Sequence, residues 1–508
     1  MQSTISRRKF VLYSAALGSG LLSGCEQKPL HTEAYDEFVE FDALALAQLL
    51  QDRQLSQLEL ANIIIARIEA ANPTLNFMTN RAYDRARSKA GSISLDSPFA
   101  GVPILIKDMI DVGGIPRTDG SRFLAGNIPT ANVQYIDGIE QAGLNILGMT
   151  NVPELASLVM TDNALFGATR NPWDLQYSTF TSSGGSAAAV AGGVLPMAHG
   201  TDGAGSCRLP ASTTGILGMK ASRYRMLPGE AGGRHDIAKT NQVLTRTVRD
   251  SAALLDYTED KSGNYYPPIG YVVAPSTKRL KIAYVTDTTS TAEVEPEVLA
   301  AQVNTAALLE SLGHQLVEIS FPINFEQMSE SYLAFFAGKV AGLKNLVEAA
   351  SGKPLLESGL LTPLLASNIE ASLSYQAEEI RAGNVFLESL PAVFDQLFSQ
   401  YDVMLTPVSP VQGVKLDAAS YNDTWSDSIA RFMMLCLKFT APINFGGNPA
   451  MSVPLNWTND TTLPIGSHFV AARGNDQLLY ELAYELEAAR PWRDYWAPYS
   501  LKYPERFL

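Results

Sequence analysis

Apolar residues recur at three- and four-residue spacing from Phe38 onward, and Leu58, Ala61, Ile64, Ile65 and Ile68 form one such stripe. That period predicts amphipathic helices at the start of the chain's body. Ser56-Gln57-Leu58-Glu59, just ahead of the stripe, has the form of a capping box, in which a serine and a glutamate satisfy the first free N–H groups of a helix. Gly101-Val102-Pro103-Ile104-Leu105-Ile106-Lys107 breaks the period and reads as a short buried strand stopped by a lysine. A helical pattern after Tyr135 passes through Gly143 into a second strand, Leu144-Asn145-Ile146-Leu147-Gly148.

The same alternation returns as strand Leu280 to Val285, helix Val294 to Leu312 and strand His314 to Ile319. Helix-strand alternation of this kind points to an α/β layer architecture. From Phe325 to Ser399 the pattern is helical throughout, with Ser351-Gly352-Lys353-Pro354 as its clearest break, and this stretch is expected to form a helical cap. Val403 to Pro407 and Pro449 to Pro454 resume the strands, and Gln477 to Ala489 closes with a helix. No internal repeat or low-complexity linker divides the chain, so one interleaved domain from residue 38 to residue 508 is expected.

With 508 residues, 46% hydrophobic and 18% charged, the chain is long and apolar enough for a large core. The formal net charge of −14 would repel nucleic acid and anionic lipid surfaces, so neither is expected as a partner. Cys25, Cys207 and Cys436 lie far apart and form no C-x-x-C pair, which points to neither a zinc site nor a disulfide framework. Cys25 has another explanation. Ser6-Arg7-Arg8-Lys9-Phe10 precedes an apolar run from Val11 to Leu22, which ends in Leu22-Ser23-Gly24-Cys25. The segment resembles a twin-arginine signal with a lipoprotein box. Residues 1–24 are therefore expected to be a signal peptide, Cys25 the lipidated residue and 25–37 a tether, the alternative being an N-terminal anchor helix that is never cleaved. The body is expected on the periplasmic side of a bacterial membrane, with no further membrane span.

Two glycine-serine clusters stand out: Ser182-Ser183-Gly184-Gly185-Ser186, and Gly200-Thr201-Asp202-Gly203-Ala204-Gly205-Ser206 followed by Cys207-Arg208. Glycines allow backbone N–H groups to converge on one point, which is what stabilising an oxyanion requires. A serine closing such a loop, Ser206, is placed to attack a carbonyl held there. Its base is not an obvious histidine. The histidines are His31, His199, His235, His314 and His468, and there is no G-x-S-x-G elbow. Lys107, emerging from an apolar strand, is a base of the kind that burial can neutralise. A serine-lysine arrangement is thus the leading reading. His199 and Cys207 are read as packed residues, and Ser183, Asp202 and Arg208 as braces of the loop.

These segments resemble the amidase-signature family, the Ser-cisSer-Lys amidohydrolases. Lys107 falls in its G-V-P-x-x-x-K-D segment, Ser182 on the serine with the cis peptide, and Ser206 on the nucleophile. Gly203, Ala204, Gly205 and Ser206 fall on the oxyanion-hole positions. Gly148 to Glu154, Asn171-Pro172-Trp173, Leu244 to Asp250 and Asn444 to Pro454 agree as well. Gly352 to Leu355 and Ser467 to Val470 look closest to the bacterial subgroup containing 6-aminohexanoate cyclic-dimer hydrolase. The resemblance implies a single large α/β domain with a central mixed β-sheet flanked by helices on both faces and a helical cap at about 325–399. It also implies a small-molecule amide substrate, no metal or cofactor, and a monomer or homodimer. Phe180-Thr181 replaces the family's usual Gly-Gly, and Ala204 its usual glycine. Their departure leaves one alternative, a catalytically inactive, surface-tethered ligand-binding homologue.

Overall fold

The computed structural model describes residues 38–287, 294–457 and 463–507; the signal-like segment, Cys25 and the tether lie outside them. The strands are β1 (Met78–Arg81), β2 (Pro103–Lys107), β3 (Asn145–Thr150), β4 (Met197–Asp202), β5 (Leu217–Lys220), β6 (Thr240–Thr245), β7 (Lys281–Asp287), β8 (Gln315–Ser320), β9 (Val403–Pro407), β10 (Ala450–Trp457) and β11 (Pro464–Ala471). They form a single sheet in the order β1-β3-β2-β4-β6-β5-β10-β11-β9-β7-β8. β2 runs parallel to β3 and β4, and β7 runs parallel to β8 and β9, whereas β10 is antiparallel to β5 and β11. The fold is a mixed α/β sheet flanked by helices.

Ser56 caps the helix Gln57–Leu75 in a full capping box with Glu59. Its buried face is Leu60, Ala61, Ile64, Ile65, Ile68, Ala71 and Leu75, while Leu58 is exposed. The sequence stripe was therefore misplaced at its first residue, because 60, 64 and 68 follow the helical period toward the sheet and 58 lies away from it. All five residues of β2 and all six of β3 and β4 are buried, as expected for parallel strands covered on both faces. Such burial removes the alternation by which strands are recognised, and β4, β5 and β6 are strands that the sequence pattern does not predict.

The cap stretch consists of helices Phe325–Val340, Leu343–Ser351, Pro363–Ser372 and Ala377–Phe398. Gly352, in the left-handed region at φ 67°, ends the second of them, where only glycine avoids a Cβ penalty. Glu154 joins the cap to the sheet layer. Its buried carboxylate accepts from Ser121 Oγ at 2.7 Å, and from the N–H and Oγ1 of Thr362 at 3.0 and 2.5 Å.

Candidate active site

β2 and β4 lie side by side and parallel, so their carboxyl ends deliver Lys107 and the loop after Asp202 to the same edge of the sheet. Crevices beyond the carboxyl ends of parallel strands are the usual ligand sites of α/β folds. Lys107 is completely buried. Its Nζ lies 2.7 Å from Ser182 Oγ, 2.7 Å from Thr201 Oγ1 and 3.4 Å from Thr201 O. Thr201 was not singled out from sequence, although it lies inside the glycine-rich segment.

Ser182 follows a cis peptide bond, Thr181-Ser182, and is buried. Ser183 ties this segment to both of its neighbours. Its N–H donates to Ser206 O at 3.2 Å, and its Oγ donates to Thr201 O at 3.2 Å while accepting from Thr201 N–H at 3.3 Å. The helix Gly184–Ala191 then starts against the backbone of Asn151: a Cβ on Gly185 would stand 2.4 Å from Asn151 N, so this glycine serves close packing rather than oxyanion geometry. Phe180, where the family has glycine, occupies a left-handed conformation at φ 59° with its ring in the core.

The nucleophile loop is wrapped around Asp202. Its carboxylate accepts from the N–H groups of Gly205 at 2.8 Å, Cys207 at 3.2 Å and Arg208 at 3.4 Å, and from Arg208 Nε and Nη2 at 2.9 Å each. Asn444 Nδ2 adds a bond at 3.0 Å, and Arg208 reaches Asn444 Oδ1 at 2.6 Å and His468 Nε2 at 2.9 Å. Burial alone would raise the Asp202 carboxyl, but the Arg208 charge and hydrogen bonds hold it well below the usual carboxylate range. Because Arg208 donates to Nε2 of His468, that ring is neutral with its proton on Nδ1, directed to Thr406 Oγ1 at 2.8 Å.

This arrangement corrects one expectation. The Gly205 N–H is consumed by Asp202, so it does not face an oxyanion. Gly205 is required instead for its φ of 122° and for space, since a Cβ there would stand 2.4 Å from Thr440 Oγ1. The N–H groups of Gly203, Ala204 and Ser206 have no acceptor among the described residues. Ala204 sits without backbone strain, and its carbonyl accepts from Thr440 Oγ1 at 2.7 Å. Ser206 is half-buried, and its hydroxyl makes no hydrogen bond to another described residue.

His199 is fully buried. It accepts the Lys107 backbone N–H at Nδ1, 3.3 Å away, and directs Nε2 toward Asn241 Oδ1 at 3.3 Å; burial, with Lys107 nearby, pulls it down to about 3. It is a structural imidazole. The buried Cys207 thiol is pushed up by burial and by the Asp202 charge, which makes it a poor nucleophile. Among the described residues no cluster of three or more His, Cys, Asp or Glu side chains is placed to hold a metal, and no helix is long and apolar enough to cross a membrane.

Burial pulls Lys107 down to about 7, and the positive charge of Lys239 adds to the decrease while Cys207 and Asp202 oppose it. Lysine is therefore available as a neutral base above that pH. The expected kcat/KM for amide cleavage falls about tenfold per pH unit below 7 and levels off above it. Lys239→Met, which removes a like charge, moves the acid limb to higher pH; a limb that stays in place in both enzymes would show that Lys107 does not govern it. In stability the sign is the same. The folded chain releases this proton at about 7 and the unfolded chain near 10.5, so the lysine's contribution improves as pH rises between them.

A large mixed sheet, with a buried lysine and a glycine-serine loop at the carboxyl ends of its parallel strands, defines an α/β fold with a candidate catalytic cluster at the sheet edge. The sequence profile of the amidase family matches residues 59–480, and the chain belongs to that family, the amidase-signature enzymes. It is 33% identical over 479 residues to the AmiC protein of Mycobacterium tuberculosis, covering 92% of this chain and 98% of that one. It is 31% identical over 489 residues to 6-aminohexanoate-cyclic-dimer hydrolase of Paenarthrobacter ureafaciens, covering 89% and 95%. The structure of 6-aminohexanoate cyclic dimer hydrolase complexed with substrate superposes with a TM-score of 0.82 at 28% identity over 91% of this chain and 99% of that chain. The chain is an amidase that hydrolyses amide bonds.

Proposed function

We propose that Ser206 attacks the amide carbon, with Ser182 as proton relay and Lys107 as base. The Ser206 proton passes to Ser182 Oγ as the Ser182 proton passes to the neutral Lys107 Nζ. The new C–O bond converts the carbonyl to a tetrahedral oxyanion, held by the free N–H groups of Gly203, Ala204 and Ser206. Ser182 then protonates the leaving nitrogen and recovers its proton from Lys107, releasing the amine. Water repeats the sequence on the acyl-enzyme and frees the carboxylic acid. The observation that carries this reading is the 2.7 Å contact between the buried Lys107 Nζ and Ser182 Oγ, in a segment bonded directly to Ser206.

The substrate class we propose is a small linear or cyclic amide. The relatives named as acylamidase of Rhodococcus erythropolis and cyclic-dimer hydrolase support that breadth. The amino-terminal pattern extends the proposal to an exported protein, lipid-anchored at Cys25. Labelling with a fluorophosphonate tests the nucleophile. We expect covalent labelling and amide turnover in the native protein and neither in Ser206→Ala. An unlabelled native protein that turns over no amide but binds one in its cleft would favour the inactive ligand-binding reading instead.

A further inference from the structure

The helices Phe325–Val340, Pro363–Ser372 and Ala377–Phe398 and the start of Asp427–Cys436 line a half-open cavity of about 770 Å³. That volume is in the range of small-molecule sites. Its lining contains Glu330, Glu379 and Asp427 and no lysine, arginine or histidine. Glu330 and Asp427 have no ion pair or side-chain hydrogen bond among the described residues; Glu379 caps its helix through one oxygen, accepting from Gln376 N–H at 2.7 Å. Tyr375, Phe386 and Trp425 add aromatic faces to the same cavity.

The inner surface carries polar atoms with no partner among the described residues. Ser331 is 7% exposed and Asn368 5%, yet the Ser331 hydroxyl and the Asn368 Nδ2 have no partner among the described residues. Asn368 Oδ1 is taken by Ser372 Oγ at 3.4 Å. Neither free atom is sealed from solvent, so both open into the space that their residues line. On side chains otherwise more than nine-tenths buried, these two polar atoms are available to hydrogen-bond whatever occupies that space. Gly383 keeps this floor open at the helix contact, since a Cβ there would press to 3.0 Å on Ser331 O.

We infer that this cavity is a second ligand site, one that takes an organic monocation whose ammonium head meets the Glu330 and Asp427 carboxylates and whose far end presents a hydrogen-bond acceptor to Ser331 and Asn368. The aromatic faces suit the head through cation–π attraction and the body through apolar contact. The uncompensated negative charge excludes carboxylate ligands of the same shape. Consistent with that field, burial and then the charges of Glu379, Asp427 and Glu330 raise the Tyr375 phenol above its ordinary value. None of its walls belongs to the Lys107–Ser182–Ser206 cluster.

Isothermal calorimetry of the full chain with 6-amino-1-hexanol, which has no amide to cleave, tests this. We expect saturable binding with Kd on the order of 1 mM or tighter, and binding at least about tenfold weaker for 1,6-hexanediol and for 6-hydroxyhexanoate. The variant Glu330→Gln/Asp427→Asn, at two exposed positions, should weaken the aminoalcohol about tenfold while leaving fluorophosphonate labelling unchanged. Equal affinity for the diol, an unchanged Kd in the variant, or no binding of the aminoalcohol in the millimolar range overturns the proposal.

Discussion

Lys107→Met lowers kcat for amide hydrolysis by about 10³-fold or more, the loss expected when one member of a catalytic triad is removed. Methionine fills nearly the same volume in the apolar surroundings of β2 but cannot accept the Ser182 proton. Ser182 and Thr201 lose the hydrogen bonds that Lys107 Nζ makes at 2.7 Å each. Folding should survive. A thermal melt close to that of the native protein, beside the collapse in turnover, separates chemistry from structure; near-native kcat in this variant would refute Lys107 as the base.

Arg208→Met destabilises the protein by about 3–5 kcal/mol, the usual result of leaving one charge of a buried pair without its partner. Both Asp202 and Arg208 are wholly inaccessible. The guanidinium bonds to both carboxylate oxygens and also to Asn444 and His468, which no methionine can replace. Urea unfolding gives the measurement through the shift in midpoint at constant slope. An exposed pair such as Arg381–Glu378 serves as the comparison, and its loss should cost less than about 1 kcal/mol. A midpoint for Arg208→Met within that smaller range would show that solvent reaches Asp202 and that the loop is not held as described. The carboxylate's contribution follows the depressed-acid sign: it is present above the unfolded value and is lost as pH falls toward the folded one.

The readable part of the site was local. Lys107 at the end of an apolar run, and two glycine-serine clusters in order, are neighbours along the chain or members of one short segment. The helix from Gln57 was legible because its capping box and its apolar period lie within a few residues of each other. By contrast, β4 reads as Met-Ala-His-Gly-Thr-Asp, with neither alternation nor β-branched density, because it is buried on both faces and carries the site at its end. Gly205 was assigned to the oxyanion from the company it keeps in sequence, whereas its N–H is taken by the preceding Asp202.

By itself, the sequence determined the α/β alternation and the helical stretch over 325–399, and it put forward Lys107, Ser182 and Ser206, in that order, as the candidate site residues. Those features depend on side-chain type and on spacing within a few turns or strands. Tertiary structure alone decided which N–H groups stay free, that Thr201 shares Lys107 with Ser182, and that Asn444 and His468 brace Arg208 from more than 230 positions away. It also set the basicity of Lys107, since the loss of water around an amine depends on every element packed over it, and no local pattern encodes that burial.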